Sequence, residues 1–298
     1  MSEAARSKKE TSAVDVSEEL WDRQFDTGND FPPATLRYRI AICTTPRCGS
    51  HFLGHQMRAT GAFGYPLEYL NPGNWTVWES RAQQVQATDT LAYIKSVRTG
   101  PNGVFATKLH YEHLERFLQH EPDPLSYHFI HLRRRDLTRQ AISFARAQQT
   151  GAWISDMPER AEGYYDYDLI TEKLNRIAED NARWTAFYSG LRMPVLELWY
   201  EDVVSDPRAA MNAIAAHVGV AMPEHETTEM VFQPKVQRSA GGETDDWRQR
   251  FEADCQAALR RRAALPGYRP IPRKQIVKAR LRHAAKRLQR RVSRLVEV

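Results

Sequence analysis

The residues best suited to chemistry lie in Thr44-Thr45-Pro46-Arg47-Cys48-Gly49-Ser50-His51-Phe52. One cation, one glycine and several hydroxyl or imidazole groups share a stretch broken by Pro46 and Gly49. Ahead of it, Ile40-Ala41-Ile42-Cys43 is an apolar, β-branched run; behind it, Phe52, Leu53 and Met57 recur at helical spacing. That is strand, tight loop, helix. Such a loop gathers backbone N–H groups at the positive end of a helix dipole, which suits phosphate or sulfate. The nucleotide pattern G-x-x-x-x-G-K-[ST] is absent, with one glycine, no lysine before Ser50 and Arg47 as the only cation. A loop of this size and charge fits a phosphosulfate better than a triphosphate with magnesium. Taken alone, it also fits an ordinary strand-to-helix turn.

The elements that must position this loop follow from periodicity. Strands are expected at Tyr38–Cys43, Tyr65–Tyr69, Gly103–Leu109, Leu125–Arg133 and Pro194–Trp199. Helices are expected after the loop to about Thr60, across Trp75–Arg98, Tyr111–Gln119, Asp136–Gln149 and Tyr167–Ser189, then from Asp206-Pro207 to Gly219, and over Phe251–Arg262. Gln233–Trp247 reads as an irregular loop, and Ser17 as the cap of a short early helix. Strands alternating with helical segments indicate an α/β fold with a mainly parallel sheet. The expected organisation is a flexible segment over 1–36, one domain over 37–270 and a basic tail over 271–298.

Composition narrows the function. At 298 residues and 42% hydrophobic the chain is globular, and no apolar run reaches the roughly 18 residues of a membrane span. The opening MSEAARSKKETSAVD lacks the apolar core of a secretory signal. Cys43, Cys48 and Cys255 have no metal spacing and cannot all pair, which favours a reducing cytoplasm. Net charge is +5, yet residues 273–298 hold ten Lys or Arg against one acid, leaving the remainder at 32 minus 36, or −4. The basic character belongs to the tail. Nucleic-acid binding would rest on that tail alone, and the acidic body argues against it.

Several segments in order resemble the trehalose 2-sulfotransferase family, bacterial relatives of the P-loop-like sulfotransferases. TPRCGSHF is similar to that family's T-P-R-S-G-S-T-L, and RATGAFGYPLEYL to R-A-T-G-V-A-G-x-P-x-E-[YF]-[FL]. PNGVFATKL matches P-N-G-V-x-x-x-K-L. IHLRRRDLTRQAISFARAQQTGAW matches I-H-L-R-R-R-D-x-x-x-Q-A-V-S-x-x-R-A-x-Q-T-x-x-W. Weaker similarity runs through Trp184, the strand before Tyr200-Glu201-Asp202, and Arg238 to Trp247, so about residues 37–252 are covered. Cys48 stands where the family has Ser, and His51 where it commonly has Thr.

The resemblance implies a P-loop-like three-layer fold. It also implies 3′-phosphoadenosine-5′-phosphosulfate (PAPS) as sulfuryl donor, a carbohydrate or lipid-linked sugar as acceptor, no metal, and a homodimer. Arg47, Cys48, Gly49, Ser50, His51 and Phe52 are then donor-binding, with Arg47 neutralising charge on the departing phosphate. Arg134 and Ser143 are expected to hold the 3′ phosphate; three consecutive arginines at 133–135 leave the choice open, and Arg134 matches the family position best. Glu68 is expected at the carboxyl end of a strand, facing the same crevice as the loop, as general base with a pKa raised by partial burial. Lys108 is expected to support the acceptor or sulfate; Lys235 and Arg238 lie in the late loop that closes over the nucleotide.

Other readings of these residues are plainer. His51 and His55 have the spacing of a metal pair but no third ligand, so packing or solvation is the simpler role. Cys48 at a helix start has the placement of a reactive, low-pKa thiol, or is just a small residue in a tight loop. Trp75, Trp78 and Trp153 suit sugar stacking or core packing. Two rival functions remain: a nucleotide kinase, which lacks its lysine, and a non-catalytic phosphoadenosine-binding protein, against which Glu68 and Lys108 speak. In the tail, Val277, Leu281, Ala284, Leu288, Val292 and Leu295 recur three or four apart among arginines. That is a basic amphipathic helix suited to an anionic membrane surface, with a helix docking on the acidic body or a disordered tail as the alternatives.

Overall fold

The computed structural model describes residues 23–153, 157–223 and 241–269, together with 274, 275, 277, 278 and 282. The chain divides into two units, Met1–Trp247 and Arg248–Val298. Four strands build the first: β1 (Tyr38–Thr44), β2 (Val104–His110), β3 (Tyr127–Arg133) and β4 (Val195–Trp199). They lie in the order β2-β1-β3-β4, all parallel. The register pairs Ile42 with Lys108, Thr44 with His110 and Cys43 with His131, so the carboxyl ends of β1, β2 and β3 lie side by side.

Nine α-helices surround or follow the sheet among the described residues: α1 (Ser50–Ala59), α2 (Pro72–Gln84), α3 (Thr90–Arg98), α4 (Leu114–His120), α5 (Leu137–Thr150), α6 (Tyr167–Leu191), α7 (Tyr200–Ser205), α8 (Pro207–Val218) and α9 (Gly241–Arg261). Side chains along β1 alternate between faces, as a strand requires. Ile40 and Ile42 pack against Leu53 and Met57 of α1 and Met211, Ile214 and Val218 of α8. Ala41 and Cys43 face the opposite layer, where Trp78, Ile94, Phe117 and Trp184 come from α2, α3, α4 and α6. Because both faces are covered, the inner strands are apolar almost throughout. The result is the expected three-layer α/β architecture.

Local chemistry sets the helix ends. Asn71, Asp136 and Asp206 accept hydrogen bonds from backbone N–H groups two or three residues on, at 3.0, 2.9 and 2.9 Å, and Pro72 and Pro207 occupy first-turn positions. Gly151 and Gly219 end α5 and α8 in the left-handed conformation.

Four expected elements differ. Tyr65–Tyr69 is not a strand. Leu67 alone bridges Thr107, its carbonyl accepting from the Lys108 N–H at 2.8 Å, because Pro66 has no N–H to give and the chain turns into α2 at Pro72. The expected helix Trp75–Arg98 is two, broken where Gln86 takes φ +57° and Asp89 caps a new start by accepting from the Ala92 N–H. Residues 241–247 are helical and belong to α9, where Asp245 and Asp246 suit the positive end of the helix dipole. Leu125 and Ser126 lie in a 3₁₀ turn ahead of β3. The helix expected from Ser17, residues 233–240 and most of the tail lie outside the described residues.

Arg98 fixes the segment leading into β1. Its guanidinium is fully buried, donates to the carbonyls of Asn29 and Gln24 at 2.9 and 3.1 Å, and lies 3.2 Å from Asp30. Arg98→Ala is expected to cost roughly 3–5 kcal/mol, the usual scale for removing one partner of a buried ion pair. Urea denaturation of the variant checks it; a loss under 1 kcal/mol contradicts the anchoring role.

The second unit continues α9 from Arg248. It ends, among the described residues near 269, in a turn where Leu265 and Tyr268 exchange N–H···O bonds at 3.1 and 2.9 Å. No described helix is long and apolar enough to cross a membrane.

Candidate active site

The loop between β1 and α1 is held from beneath by groups far away in sequence. The Gln140 amide, fully buried on α5, donates to the Thr45 hydroxyl at 2.8 Å and to the Pro46 carbonyl at 2.7 Å. The Trp184 indole donates to the Thr44 carbonyl at 3.1 Å. Arg47 takes φ +62° and Gly49 φ +93°, both left-handed. At Gly49 this is obligatory: a Cβ there would lie 2.1 Å from the Tyr200 ring. Tyr200 thus forms a wall directly behind the loop.

Two clusters form at the carboxyl ends of the strands. In the first, Arg47 Nε donates to Ser143 Oγ at 3.0 Å, and its Nη1 donates to the Trp153 carbonyl. Arg134 Nη1 approaches the Arg47 carbonyl at 3.4 Å, and the Arg134 guanidinium lies 5.2 Å over the Tyr200 ring. Arg134 Nε is buried and finds no acceptor among the described residues. Burial and the neighbouring Arg134 charge both push the Arg47 pKa down. Two facing cations with an unspent donor leave this corner short of negative charge, the condition an anion would relieve. Of the neighbouring arginines, Arg133 lies 3.9 Å from Glu197 and over Trp199, with its own Nε also lacking an acceptor among the described residues, and Arg135 forms a two-pronged pair with Asp202 at 2.7 Å. Glu201 accepts from the Arg135 N–H at 3.1 Å, fixing the turn from which Arg134 projects.

In the second cluster, Glu68 Oε1 lies 3.4 Å from Lys108 Nζ and 3.8 Å from His110 Nε2. The backbone at Glu68 is fixed as its carbonyl accepts from Asn74 Nδ2 at 2.8 Å. Burial pushes the Glu68 carboxyl up, but its electrostatic interactions with His110 and Lys108, and less with His113 and His51, outweigh burial and hold it down at about 2. The expectation of a raised pKa is therefore overturned, because β2 delivers cations to the place where sequence suggested only burial. His113 Nδ1 accepts from the His110 N–H at 3.2 Å, and the two rings stack 5.1 Å apart. His110, Glu112 and His113 bring their ligand atoms within 4.8 Å of one another. With Nδ1 of a neutral His113 accepting, its proton sits on Nε2, which a metal would need bare.

His51 connects the clusters electrostatically. Lost hydration, then Lys108 and His55, hold it well below the ordinary histidine value; Glu68 opposes them and Arg47 adds to the lowering. Its Nε2 lies 2.8 Å from His55 Nε2. A neutral imidazole can donate a hydrogen bond here but brings no charge. Cys48 is fully buried, its Sγ against Thr44 Oγ1, and burial pushes the thiol up. The expected reactive, low-pKa placement does not hold, because the side chain turns into the core away from the loop's mouth. Phe52 likewise packs on the core, and Ser50 is buried at the first position of α1. Trp75 and Trp78 are core residues, whereas Trp153 is 42% exposed. Lys235 and Arg238 lie outside the described residues.

Sequence reading missed Gln140, Tyr200, His110 and His113. Gln140 and Tyr200 fall inside segments with family similarity, and the His-x-x-His spacing directly after a buried strand was a visible signal for the other two.

Among proteins of known activity, the chain is 22% identical to trehalose 2-sulfotransferase of Mycolicibacterium smegmatis, covering 76% of this chain and 97% of that protein. It is 23% identical to trehalose 2-sulfotransferase of Mycobacterium tuberculosis, over 72% and 94% respectively. A solved sulfotransferase domain from the curacin biosynthetic pathway aligns with a TM-score of 0.40 at 15% identity, covering 66% of this chain and 77% of that one. The model of the family described as Stf0 sulphotransferase matches residues 39–254, which takes in the sheet from the second residue of β1 onward and both clusters. The chain therefore belongs to the Stf0 sulphotransferase family and is a sulfotransferase.

Proposed function

We propose that this sulfotransferase moves the sulfuryl group from PAPS to a hydroxyl of a carbohydrate, trehalose or a lipid-linked sugar, with Glu68 as general base. The observation that carries the donor reading is the convergence of Arg47, Arg134 and Ser143 around a buried guanidinium nitrogen with no acceptor. Arg134 and Ser143 take the donor's 3′ phosphate. The loop N–H groups and Ser50 take the 5′ phosphosulfate at the start of α1. Arg47 stabilises the phosphate oxygens as negative charge develops there. Sulfuryl transfer asks for little beyond in-line positioning, charge stabilisation and deprotonation of the acceptor, so Lys108 serves by holding Glu68 in place and by facing the sulfate. The carbohydrate acceptor rests on the two trehalose 2-sulfotransferase relatives.

The direct test incubates the protein with ³⁵S-labelled PAPS and trehalose, or with a cell extract, and identifies the labelled product by mass spectrometry. Absence of label in any sugar sinks the acceptor class. Transfer is expected to persist in EDTA, since no step uses a metal. Arg134→Ala is expected to weaken binding of 3′,5′-diphosphoadenosine by about 1.5–3 kcal/mol, the scale of one charge-assisted contact, while AMP affinity stays unchanged. Calorimetry with both ligands decides it, and equal losses would place Arg134 elsewhere.

The same reading includes a homodimer, carried by the family resemblance, and a peripheral membrane contact through 273–298, carried by the pattern of the tail. Full-length and 1–272 protein are expected to differ in co-sedimentation with anionic vesicles, full-length alone pelleting and being released by salt. If both stay in solution, a soluble acceptor is the better reading.

A further inference from the structure

We infer that Gln140 is a positioning residue for sulfuryl transfer, holding the Pro46–Arg47 peptide in the orientation that aims the Arg47 N–H at the donor. This rests on the proposed binding of the donor's 5′ phosphosulfate by the loop. Turn chemistry makes such a brace necessary. The Cys48 N–H donates to the Thr45 carbonyl at 3.3 Å, so Thr45 to Cys48 form a β-turn with Pro46 and Arg47 at its centre. Arg47 has φ +62°. Proline cannot take a positive φ, which excludes the mirror-image turns, and a positive φ at the third residue alone defines type II. Type II favours Gly or Asn at that place, and Arg is neither. Proline followed by an ordinary residue suits type I, where the third residue has φ of about −90°. The two turns differ by a flip of one peptide unit, here the one joining Pro46 to Arg47. A flipped unit with a bulky residue persists only when its surroundings hold it.

Gln140 grips that unit. Its Nε2 donates to the Pro46 carbonyl at 2.7 Å and to the Thr45 hydroxyl at 2.8 Å. A carbonyl can only accept, so the NH₂ end of the amide must face it. The brace is stiff. Gln140 is fully buried in the first turn of α5, and its own N–H donates to the Asp136 carbonyl at 3.0 Å. Its Oε1 is buried with no donor among the described residues, a cost that an apolar side chain of similar shape would avoid. Only the donor end of the amide has a use here.

Peptide geometry gives the consequence. In a trans peptide the C=O and N–H point in opposite directions. With the Pro46 carbonyl held toward α5, the Arg47 N–H points away from α5 and finds no acceptor among the described residues. It adds one more anion-facing donor to those at the start of α1. In a type I turn the same unit would offer the Pro46 carbonyl instead, oxygen against oxygen. Arg47 Nε reaches Ser143 Oγ at 3.0 Å, and Ser143 lies three residues beyond Gln140 on α5. One helix thus braces the 5′ site and carries a ligand of the 3′ phosphate.

The test is calorimetry of wild type and Gln140→Met with 5′-AMP, which uses the loop, and with 3′-AMP, which uses Arg134 and Ser143. Gln140→Met is expected to weaken 5′-AMP about 10-fold or more and to leave 3′-AMP within twofold. Retained 3′-AMP binding also shows that α5 and the fold are intact. Should Gln140→Met not fold, Gln140→Asn carries the same expectation, since it keeps the amide but is one methylene too short to reach Pro46. Unchanged affinity for both nucleotides overturns the brace. Equal losses for both overturn it too, making Gln140 a prop of α5 at large, while the donor reading stands. If wild type itself binds neither nucleotide, the donor reading has failed and the brace with it.

Discussion

Glu68→Gln is expected to keep donor binding and to lower turnover by roughly 100-fold or more, the usual scale for losing a general base. The amide preserves the shape and the contact distance to Lys108 but removes the proton acceptor and the negative charge. Two losses therefore combine: basicity at the acceptor hydroxyl, and the counter-charge that balances Lys108. Because Arg47, Arg134 and Ser143 are a separate cluster, calorimetry with 3′,5′-diphosphoadenosine is expected to give wild-type affinity. Retained turnover in a folded variant would make Glu68 a bystander that merely neutralises Lys108. The pH dependence has a sign that can be worked out. With its carboxyl held at about 2, below the ordinary carboxylate range, Glu68 contributes stability that is present above that range. That contribution is lost as pH falls from about 4 toward 2, when the carboxylate protonates and leaves Lys108 unbalanced.

Gly49→Ala is expected to remove most donor affinity. Two costs add at that position. A non-glycine residue in the left-handed region is disfavoured by about 1–2 kcal/mol, and the backbone there has φ +93°. The new Cβ would also lie 2.1 Å from Tyr200 Cδ2, closer than any contact allows, so the ring or the loop must move. Forced movement of that kind costs about 1–3 kcal/mol. If the loop gives way, the N–H groups at the start of α1 lose their aim, and affinity for the diphosphate falls on the order of 30-fold or more. If Tyr200 gives way instead, its ring leaves the Arg134 guanidinium and the same ligand is weakened from the other side. Combining Gly49→Ala with Tyr200→Ala relieves the collision but not the backbone strain, so part of the melting temperature is expected to return. Affinity within twofold of wild type in the single variant would show that the loop's conformation is not what binds the donor.

Much of this molecule was legible in one dimension. The β-branched run before Thr44 and the break at Pro46 and Gly49 specify strand, loop and helix through local propensity and turn chemistry, which need no distant partner. The Asp136 and Asp206 caps and the alternating strands were readable for the same reason, and with them the parallel α/β class. Five ordered segments carried the family. What sequence could not give was every relation decided by distance. It left three consecutive arginines equivalent, and only the pairing of Arg133 with Glu197 and of Arg135 with Asp202 leaves Arg134 facing the loop. It suggested an accessible thiol at Cys48 and a raised carboxyl at Glu68. Burial of a side chain and the sum of charges around it are properties of packing, and packing turned Cys48 inward and brought Lys108 and His110 to Glu68. Pro66 allowed an extended segment, but whether it became a strand depended on how much of β2 it could pair with, and only Leu67 reaches it. The sequence determined which groups this protein has for chemistry; parallel register between β1 and β2, a contact across more than sixty residues of chain, decided which of them meet.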